Sequence, residues 1–170
     1  MNSKASTHIV RADYLDLHHT QALVSLLDAY ARDSMGGGKG LLESVKNNLP
    51  AALAMNPQAF SVLAFKSESN GVFSKCVGLI NCFQGFSTFA CKPLINVHDV
   101  FVLSEFRGHG IARQMFSLVQ DIAKDRGACK LTLEVLSGNV SALNLYLSLG
   151  FINYQLDPVH GKAQYFQKSV

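Results

Sequence analysis

The strongest constraint on the fold of this chain comes from residues 95–116, INVHDVFVLSEFRGHGIARQMF, where an apolar strand runs into an amphipathic helix. Glycines stand at positions 108 and 110 between them, and glycine permits backbone conformations that direct several N–H groups at one point. The first N–H groups of a helix lack intrahelical partners, and the helix dipole favours an anion there. The turn therefore predicts a pyrophosphate site, to which Arg107 can add a charge-assisted contact.

Other phosphate-binding loops fit this chain poorly. A dinucleotide-binding Rossmann turn requires a third glycine, where Arg113 stands. A Walker loop requires Gly-Lys followed by Ser or Thr, which neither this turn nor the glycine-rich run at 36–40 supplies. The run at 36–40 follows a predicted helix and is interpreted as a connection. A tight turn that binds no ligand is the alternative interpretation of Gly108 and Gly110.

The rest of the chain predicts one mixed α/β (α+β) domain, residues 1–170, with helices on both faces of a sheet. Helices are expected where apolar residues recur at helical spacing, and strands where short runs of Val, Ile, Leu and Phe are separated by turn residues. The predicted helices span 16–33, 41–55 with an interruption near Pro50, 111–126 and 140–149. The predicted strands span 9–10, 60–66, 72–86, 94–103, 130–136, 151–157 and 163–169.

Composition argues against several classes of function. The 170 residues carry a formal net charge of +3 with scattered basic residues, so no nucleic-acid surface is expected. The four cysteines form no C-x-x-C pair and the six histidines lack zinc-finger spacing, so neither a metal site nor a disulfide is expected. No apolar segment reaches membrane-spanning length, and the N-terminus lacks a signal-peptide core. A soluble, cytoplasmic protein is the expectation.

Two motifs resemble signatures of the GNAT superfamily of N-acetyltransferases. Residues 107–112, RGHGIA, are similar to the Q/R-x-x-G-x-G/A motif of that family and stand at the expected place between strand and helix. Residues 139–151, NVSALNLYLSLGF, are similar to its second signature, N-x-x-A-x-x-L-Y-x-x-x-G-F. Together the matches span residues 95–151 in the order and spacing of the family. The N-terminal half shows only a general likeness, as expected for the variable acceptor region.

The resemblance implies the GNAT fold, a mostly antiparallel sheet of about seven strands with a splayed central parallel pair, and it implies acetyl-CoA (coenzyme A) as the cofactor. The pantetheine arm would pair with the backbone of Val100, Phe101 and Val102 like an added strand. Asn139 would contact this arm or its phosphate end. It lies seven residues, or about 700° of helical rotation, from Tyr146, so both are expected on one helix face. The pyrophosphate would bind at the turn, residues Arg107, Gly108, His109, Gly110, Ile111 and Ala112.

The candidate catalytic residues are Tyr146, His98 and Asp99. A phenol can protonate a departing thiolate, and the resemblance gives this role to Tyr146. His98-Asp99 stands where polyamine-acetylating relatives carry a Glu-Asp pair, so His98 could accept the proton of the amine directly, or either residue could hold a water chain that accepts it. Packing of Tyr146 and a structural ion pair of Asp99 are the alternatives. Tyr30 and Asp33 are candidates for contact with the acceptor.

These observations predict an N-acetyltransferase that moves the acetyl group of acetyl-CoA onto an amine by direct attack in a ternary complex. The alternative is a non-catalytic acetyl-CoA-binding module that senses the cofactor or scaffolds a partner. The acceptor stays open among polyamine, amino acid, antibiotic, peptide N-terminus and protein lysine, and transfer of a longer acyl chain is a further alternative. No nucleic-acid or membrane partner is expected, whereas a homodimer is compatible with the resemblance because relatives are often dimers.

Overall fold

The structure is a computed structural model that describes residues 6–67, 73–154, 159 and 163–169. The chain falls into two compact units, Met1–Leu136 and Ser137–Val170. The second unit contains one helix, α4 (Val140–Ser148), among its described residues. The first unit contains, in chain order, β1 (Thr7–Arg11), α1 (Leu17–Arg32), α2 (Glu43–Ala54), β2 (Ala59–Ser67), β3 (Phe73–Ser87), β4 (Lys92–Val102), a 3-10 turn (Ser104–Phe106), α3 (Ile111–Asp125) and β5 (Leu131–Leu133).

The strands of the first unit form one sheet in the order β1-β2-β3-β4-β5. The first four are antiparallel neighbours, whereas β4 and β5 run parallel. Parallel neighbours need a crossover connection, which α3 supplies. β4 pairs with β3 at ten positions but with β5 only at Ile95, Asn96 and Val97. The predicted parallel pair is therefore present, and it is short.

Helices cover both faces of this sheet, as predicted. On one face, α1 and α2 pack against alternate strand residues; the buried members of this core include Leu23, Leu26, Leu53, Leu63, Phe65, Leu79 and Phe101. On the other face, α3 buries Met115 and Phe116 completely. A Cβ built at Gly78 of β3 would lie 2.9 Å from Met115 Cε. The glycine therefore lets α3 approach the sheet closely.

The predicted helices, and the strands up to β5, are confirmed to within a few residues at most ends. The Asp16 side chain caps α1, as an acidic N-cap residue does. α3 ends at Gly127, whose φ of 67° is the left-handed conformation that suits a glycine stop. The predicted interruption near Pro50 is wrong, since α2 runs through it as one helix. Proline removes one backbone N–H from a helix, but Leu53 beyond it is buried in the core and keeps this turn in place.

The two predicted C-terminal strands are not found among the described residues. Residues 151–154 and 163–169 have no regular secondary structure, and residues 155–157 lie outside the described part, as do residues 68–72 between β2 and β3. Apolar patterning predicted strands 151–157 and 163–169, but a strand forms only when a neighbour supplies its backbone hydrogen bonds. The described sheet has five strands where the sequence predicts about seven.

Truncation of Leu23 tests the core under α1. Its side chain is 1% exposed, so Leu23→Ala leaves a cavity and should lower the free energy of unfolding by about 2–5 kcal/mol. Leu17 of the same helix is 69% exposed, and Leu17→Ala should change that free energy by less than about 0.5 kcal/mol. Urea denaturation followed by circular dichroism measures both. Equal losses in the two variants would contradict the packing described for α1.

Candidate active site

The glycine turn after β4 adopts a conformation that glycine takes readily and other residues do not. Gly108 and Gly110 have φ angles of 79° and 75°, in the left-handed region. Gly110 is also the N-cap residue of α3, and no side chain caps this helix. Among the described residues, a Cβ built at either glycine would meet no atom within 4 Å beyond its neighbours in the chain, so the space beside the turn is open to them. An uncapped helix N-terminus that faces open space can bind an anion through its backbone N–H groups.

The edge of β4 opens shortly before this turn. Pairing with β5 ends at Val97, while pairing with β3 continues to Val102. The Leu103 N–H donates to the Val77 carbonyl at 2.9 Å, and backbone groups alternate between the two sides of an antiparallel strand. Val100 and Val102 therefore direct their N–H and C=O groups away from β3, toward the open edge. An extended ligand can pair there like an added strand.

Phe101 is oriented differently from these two valines. By the same alternation its backbone groups face β3, where its register partner is Leu79. Its side chain is 7% exposed and lies on the α1 face, with the Tyr30 ring 5.6 Å away. The prediction that three consecutive residues offer backbone groups to the cofactor is therefore revised. Only Val100 and Val102 face the edge, because successive residues of a strand point to opposite sides.

A one-residue bulge interrupts β4 at the point where β5 leaves it. Asn81 of β3 pairs with Asp99 and the next residue, Cys82, pairs with Val97, so His98 is an extra residue without a register partner in the β3–β4 ladder. Bulges bend a strand and redirect its side chains. His98 Nδ1 lies 3.4 Å from Asp99 Oδ1, so the bulge brings these two consecutive side chains together.

The predicted proton acceptors, His98 and Asp99, thus occupy the start of the open edge. The side chain of His98 is 60% exposed and that of Asp99 is 19% exposed. Asp99 Oδ2 accepts a hydrogen bond from Asn81 Nδ2 at 3.0 Å. An accessible imidazole beside a largely shielded carboxylate is a suitable arrangement for accepting a proton from an approaching ligand.

Arg107 connects the glycine turn to the loop after α1. Its Nη2 lies 2.9 Å from Asp33 Oδ2, and its Nε donates to the Val102 carbonyl at 2.8 Å. Its guanidinium carbon lies 5.6 Å from the centre of the Phe101 ring. A hydrogen bond from the Met35 N–H, and then the contact with Arg107, hold the pKa of Asp33 below its usual value. The contact of Arg107 with a pyrophosphate stays a prediction.

Tyr30 of α1 lies at the same end of β4. Burial raises the pKa of its phenol above the usual value, and the negative charges of Asp99 and Asp33 add to this effect. Both carboxylates therefore lie close enough to act on the phenol. Tyr30 is thus close to both carboxylates, but the ion pair with Arg107 offsets the charge of Asp33, so Asp99 is the carboxylate that could attract a cationic ligand.

Three further residues, Asn81, Ser61 and Tyr14, contribute to the site through a series of buried and partly buried hydrogen bonds that leads to Asp99. Ser61 and Asn81 are 20 positions apart, and Tyr14 and Ser61 are 47 apart. No motif spacing connects them, so sequence reasoning does not select them. The only available signal is the presence of polar residues within otherwise apolar strand segments.

The second motif belongs to the second unit. Asn139 is the N-cap residue of α4, and its Oδ1 accepts the Ala142 N–H at 3.2 Å. Tyr146 is 8% exposed, and its ring stands edge-on to Phe151 at 5.9 Å. Within this unit both residues therefore have structural roles, a helix cap and a packed aromatic pair. Their contacts with a cofactor, and the catalytic role of Tyr146, stay predictions.

The described residues offer little for other chemistry. In the part of the chain that the structure describes, no three His, Cys, Asp or Glu side chains form a group able to hold a metal ion. None of the described helices is both long and apolar enough to cross a bilayer. Cys76, Cys82, Cys91 and Cys129 are free thiols. Burial raises the pKa of Cys76 to about 12, which disfavours the reactive thiolate.

The acetyltransferase (GNAT) family profile matches residues 53–151, a segment that contains the open edge, the glycine turn and α4. This chain belongs to the acetyltransferase (GNAT) family. The predicted family is therefore confirmed, and both motifs lie inside the matched segment. The roles of individual residues within that segment rest on the geometry of the site.

Curated relatives match part of the chain. Thialysine N-epsilon-acetyltransferase of Bos taurus is 39% identical over 56 residues, which are 33% of this chain and 33% of that protein. Streptothricin acetyltransferase of Streptomyces lavendulae is 35% identical over 75 residues, 44% of this chain and 40% of that protein. The chain thus spans 33–40% of the length of these two relatives.

Solved structures match over nearly the whole chain. The crystal structure of a probable acetyltransferase has a TM-score of 0.77 at 21% identity and covers 96% of this chain and 99% of that chain. An aminoglycoside N-acetyltransferase in complex with CoA has a TM-score of 0.73 at 14% identity, with coverage of 100% and 99%. At these identities the likeness concerns the fold, and it confirms the predicted GNAT fold class.

Substitution of Gly110 tests the turn. Gly110→Ala should weaken the binding of coenzyme A by about 10- to 100-fold, the size of one charge-assisted hydrogen bond. The physical reason is that a Cβ at a φ of 75° strains the backbone that must approach the pyrophosphate. Isothermal titration calorimetry measures the dissociation constant.

Gly127→Ala is the matched control for this experiment. Gly127 has a φ of 67° and no atom within 4 Å of a built Cβ, so the substitution imposes a similar strain, about 1–2 kcal/mol. It lies at the C-terminal end of α3, whereas Gly110 lies at the N-terminal end. Equal affinities in the two folded variants would show that the turn at Gly110 is only structural.

Proposed function

We propose that this chain is an acetyl-CoA-dependent N-acetyltransferase that moves an acetyl group onto an amine. One observation carries the proposal: the open edge of β4 leads, through a short turn, into the uncapped N-terminus of α3. An extended arm that ends in a pyrophosphate fits these two adjoining features. Membership of the acetyltransferase (GNAT) family supports the same function.

Backbone groups along this path can form hydrogen bonds with coenzyme A. The Val102 carbonyl already accepts the Arg107 Nε, which leaves the N–H and C=O of Val100 and the N–H of Val102 for the pantetheine arm. Backbone N–H groups of His109, Ile111 and their neighbours in the turn would hold the pyrophosphate. This assignment uses the backbone of the chain, so it depends on conformation more than on side-chain identity.

The proposed reaction is direct attack of a neutral amine on the thioester carbonyl. An N–C bond forms and the C–S bond breaks, and two protons must move. The pair His98 and Asp99 accepts the proton of the amine, directly or through water, and Tyr146 donates a proton to the departing sulfur. The chemistry needs no covalent intermediate on the protein.

The proposed acceptor is a small-molecule amine that carries a positive charge. Asp99 places negative charge near Tyr30 at the end of β4, where it would attract a cation, whereas Asp33 is paired with Arg107. The names of the relatives refer to thialysine and streptothricin, and that of one structural neighbour to aminoglycosides, which supports a small-molecule acceptor. We place the protein in the cytoplasm, a reducing compartment that suits its four free thiols.

Thermal denaturation tests the cofactor. Acetyl-CoA at about a hundred times its dissociation constant should stabilise the folded chain by about 2.7 kcal/mol. For a chain of this length that corresponds to a rise in Tm of about 5–10 °C. A panel of amines, assayed for release of free coenzyme A, then tests transfer. No shift at saturation would contradict cofactor binding, and binding without transfer to any amine would favour the sensor alternative.

Tyr146→Phe tests the proposed proton donor. The variant keeps the buried ring and removes only the hydroxyl, so the packing of α4 should persist. Turnover should fall by about 10²- to 10⁴-fold, because general acid catalysis is lost. KM for acetyl-CoA should change much less, since the hydroxyl acts mainly as the sulfur gains charge.

Tyr154→Phe provides the matched control for Tyr146→Phe. Tyr154 belongs to the same unit and is 66% exposed, so loss of its hydroxyl should leave turnover unchanged. Steady-state kinetics with the best amine of the panel compare the two variants. Wild-type turnover in Tyr146→Phe would reduce Tyr146 to a packing residue.

A further inference from the structure

A chain of hydrogen bonds crosses the sheet from the segment before α1 to the bulge of β4. The Tyr14 hydroxyl lies 2.8 Å from Ser61 Oγ, and Ser61 Oγ donates to Asn81 Oδ1 at 2.6 Å. Asn81 Nδ2 in turn donates to Asp99 Oδ2 at 3.0 Å. Ser61 is 0% exposed and Asn81 is 4% exposed, in an interior where a polar group without a partner would be costly.

The donors in this chain all point toward Asp99. An amide oxygen accepts and cannot donate, so Ser61 must use its single hydroxyl hydrogen on Asn81. The Tyr14 hydroxyl must then donate to Ser61 Oγ. A carboxylate oxygen accepts only, so the Asn81 amide has one orientation that satisfies both neighbours, with its NH₂ group toward Asp99.

This arrangement has a consequence for His98. With Oδ2 of Asp99 held by Asn81, the other oxygen, Oδ1, lies 3.4 Å from His98 Nδ1. A carboxylate beside Nδ1 favours the tautomer that carries its hydrogen there. The Nε2 of His98 then has the free lone pair, and the side chain is 60% exposed, so Nε2 can accept a proton from a ligand.

The other titratable groups that act with Asp99 are Tyr30 on α1 and Cys82 on β3. Burial raises the pKa of both, and the charge of Asp99 adds to the effect in each case. For Cys82 the positive charge of Arg126 acts in the opposite direction. Both groups are therefore uncharged at neutral pH. Of the side chains around Asp99, His98 is the one suited to exchange a proton there.

We propose that Asn81 is a positioning residue: it holds the Asp99 carboxylate so that the carboxylate orients the His98 imidazole as the proton acceptor. Ser61 and Tyr14 orient the Asn81 amide. The catalytic consequence rests on the acetyl transfer proposed above, whereas the contact between Asp99 and His98 belongs to the resting protein. The two can therefore be tested separately.

The test combines NMR of the His98 ring with kinetics on Asn81→Leu in the full chain. The ¹⁵N chemical shifts of Nδ1 and Nε2, assigned by their absence in His98→Gln, report which nitrogen of the neutral ring carries the hydrogen. Without Asn81 the carboxylate should leave its place beside the ring, so the population with its hydrogen on Nδ1 should fall by about twofold or more. The value of kcat/KM for the amine should fall about tenfold or more, while KM for acetyl-CoA stays unchanged.

Two further variants keep the experiment decisive. Asn96→Leu is the matched control, since Asn96 is a partly buried asparagine of β4 that donates to Thr132 Oγ1 and has no contact with Asp99 among its described hydrogen bonds. Asn96→Leu should leave both the tautomer populations of His98 and kcat/KM unchanged. If Asn81→Leu does not fold, the double variant Ser61→Ala/Asn81→Leu replaces it. The double variant also removes the Ser61 hydroxyl, which would otherwise be buried without its acceptor, so it should lose less stability than the single variant.

An Nδ1-hydrogen population that stays at the wild-type value or rises in the folded variant overturns the proposal, because Asp99 would then hold its place without Asn81. A lowered population with unchanged kcat/KM overturns its catalytic part. If the wild-type protein transfers acetyl groups to no amine, the proposed function fails. The tautomer of His98 still decides whether Asn81 positions Asp99.

Discussion

The backbone of β4 is paired along almost its whole length on the β3 side but only at three positions on the other, and the candidate site depends on this asymmetry. β3 pairs with β4 at ten positions, whereas β5 leaves it after three. A backbone polar group needs a partner, from water or a ligand if not from the chain. The core under α1 and the close packing of α3 on Gly78 hold β4 in place despite its open edge. The bulge, the edge and the glycine turn follow one another along this strand.

Most elements of the first unit could be predicted because their signals are local. The apolar stripe of α3 repeats at helical spacing, and Gly127 marks its end. Strand 163–169 was predicted from similar local patterning and is absent among the described residues. Its failure has a physical reason: helical hydrogen bonds lie within one segment, whereas a strand depends on a partner that the segment itself does not contain.

The residues of the candidate site likewise fall into those that local sequence predicts and those that depend on the folded sheet. Gly108 and Gly110 could be predicted because their positive φ angles are a property of the residue type. The bulge at His98 could not, since it is defined by the register of β3 and β4, which pairs Asn81 with Asp99 and Cys82 with Val97. The partner of Arg107 is Asp33, 74 positions earlier, and Asn81 meets Asp99 only through the register of β3 and β4. Such contacts exist only once the sheet has formed.

The bulge also constrains the residue types at positions 98 and 99 to different degrees. His98 is an additional residue, and Val97 and Asp99 keep their partners on β3 whatever its side chain is. Its identity can therefore change by a single mutation without disturbing the sheet. The residue type at position 99 is constrained. The Oδ1 of Asn81 already accepts from Ser61, so the Asn81 amide offers position 99 only its Nδ2 donor, which requires an acceptor there. Positions 81 and 99 are therefore coupled through this hydrogen bond, whereas position 98 is not held by the β3–β4 ladder.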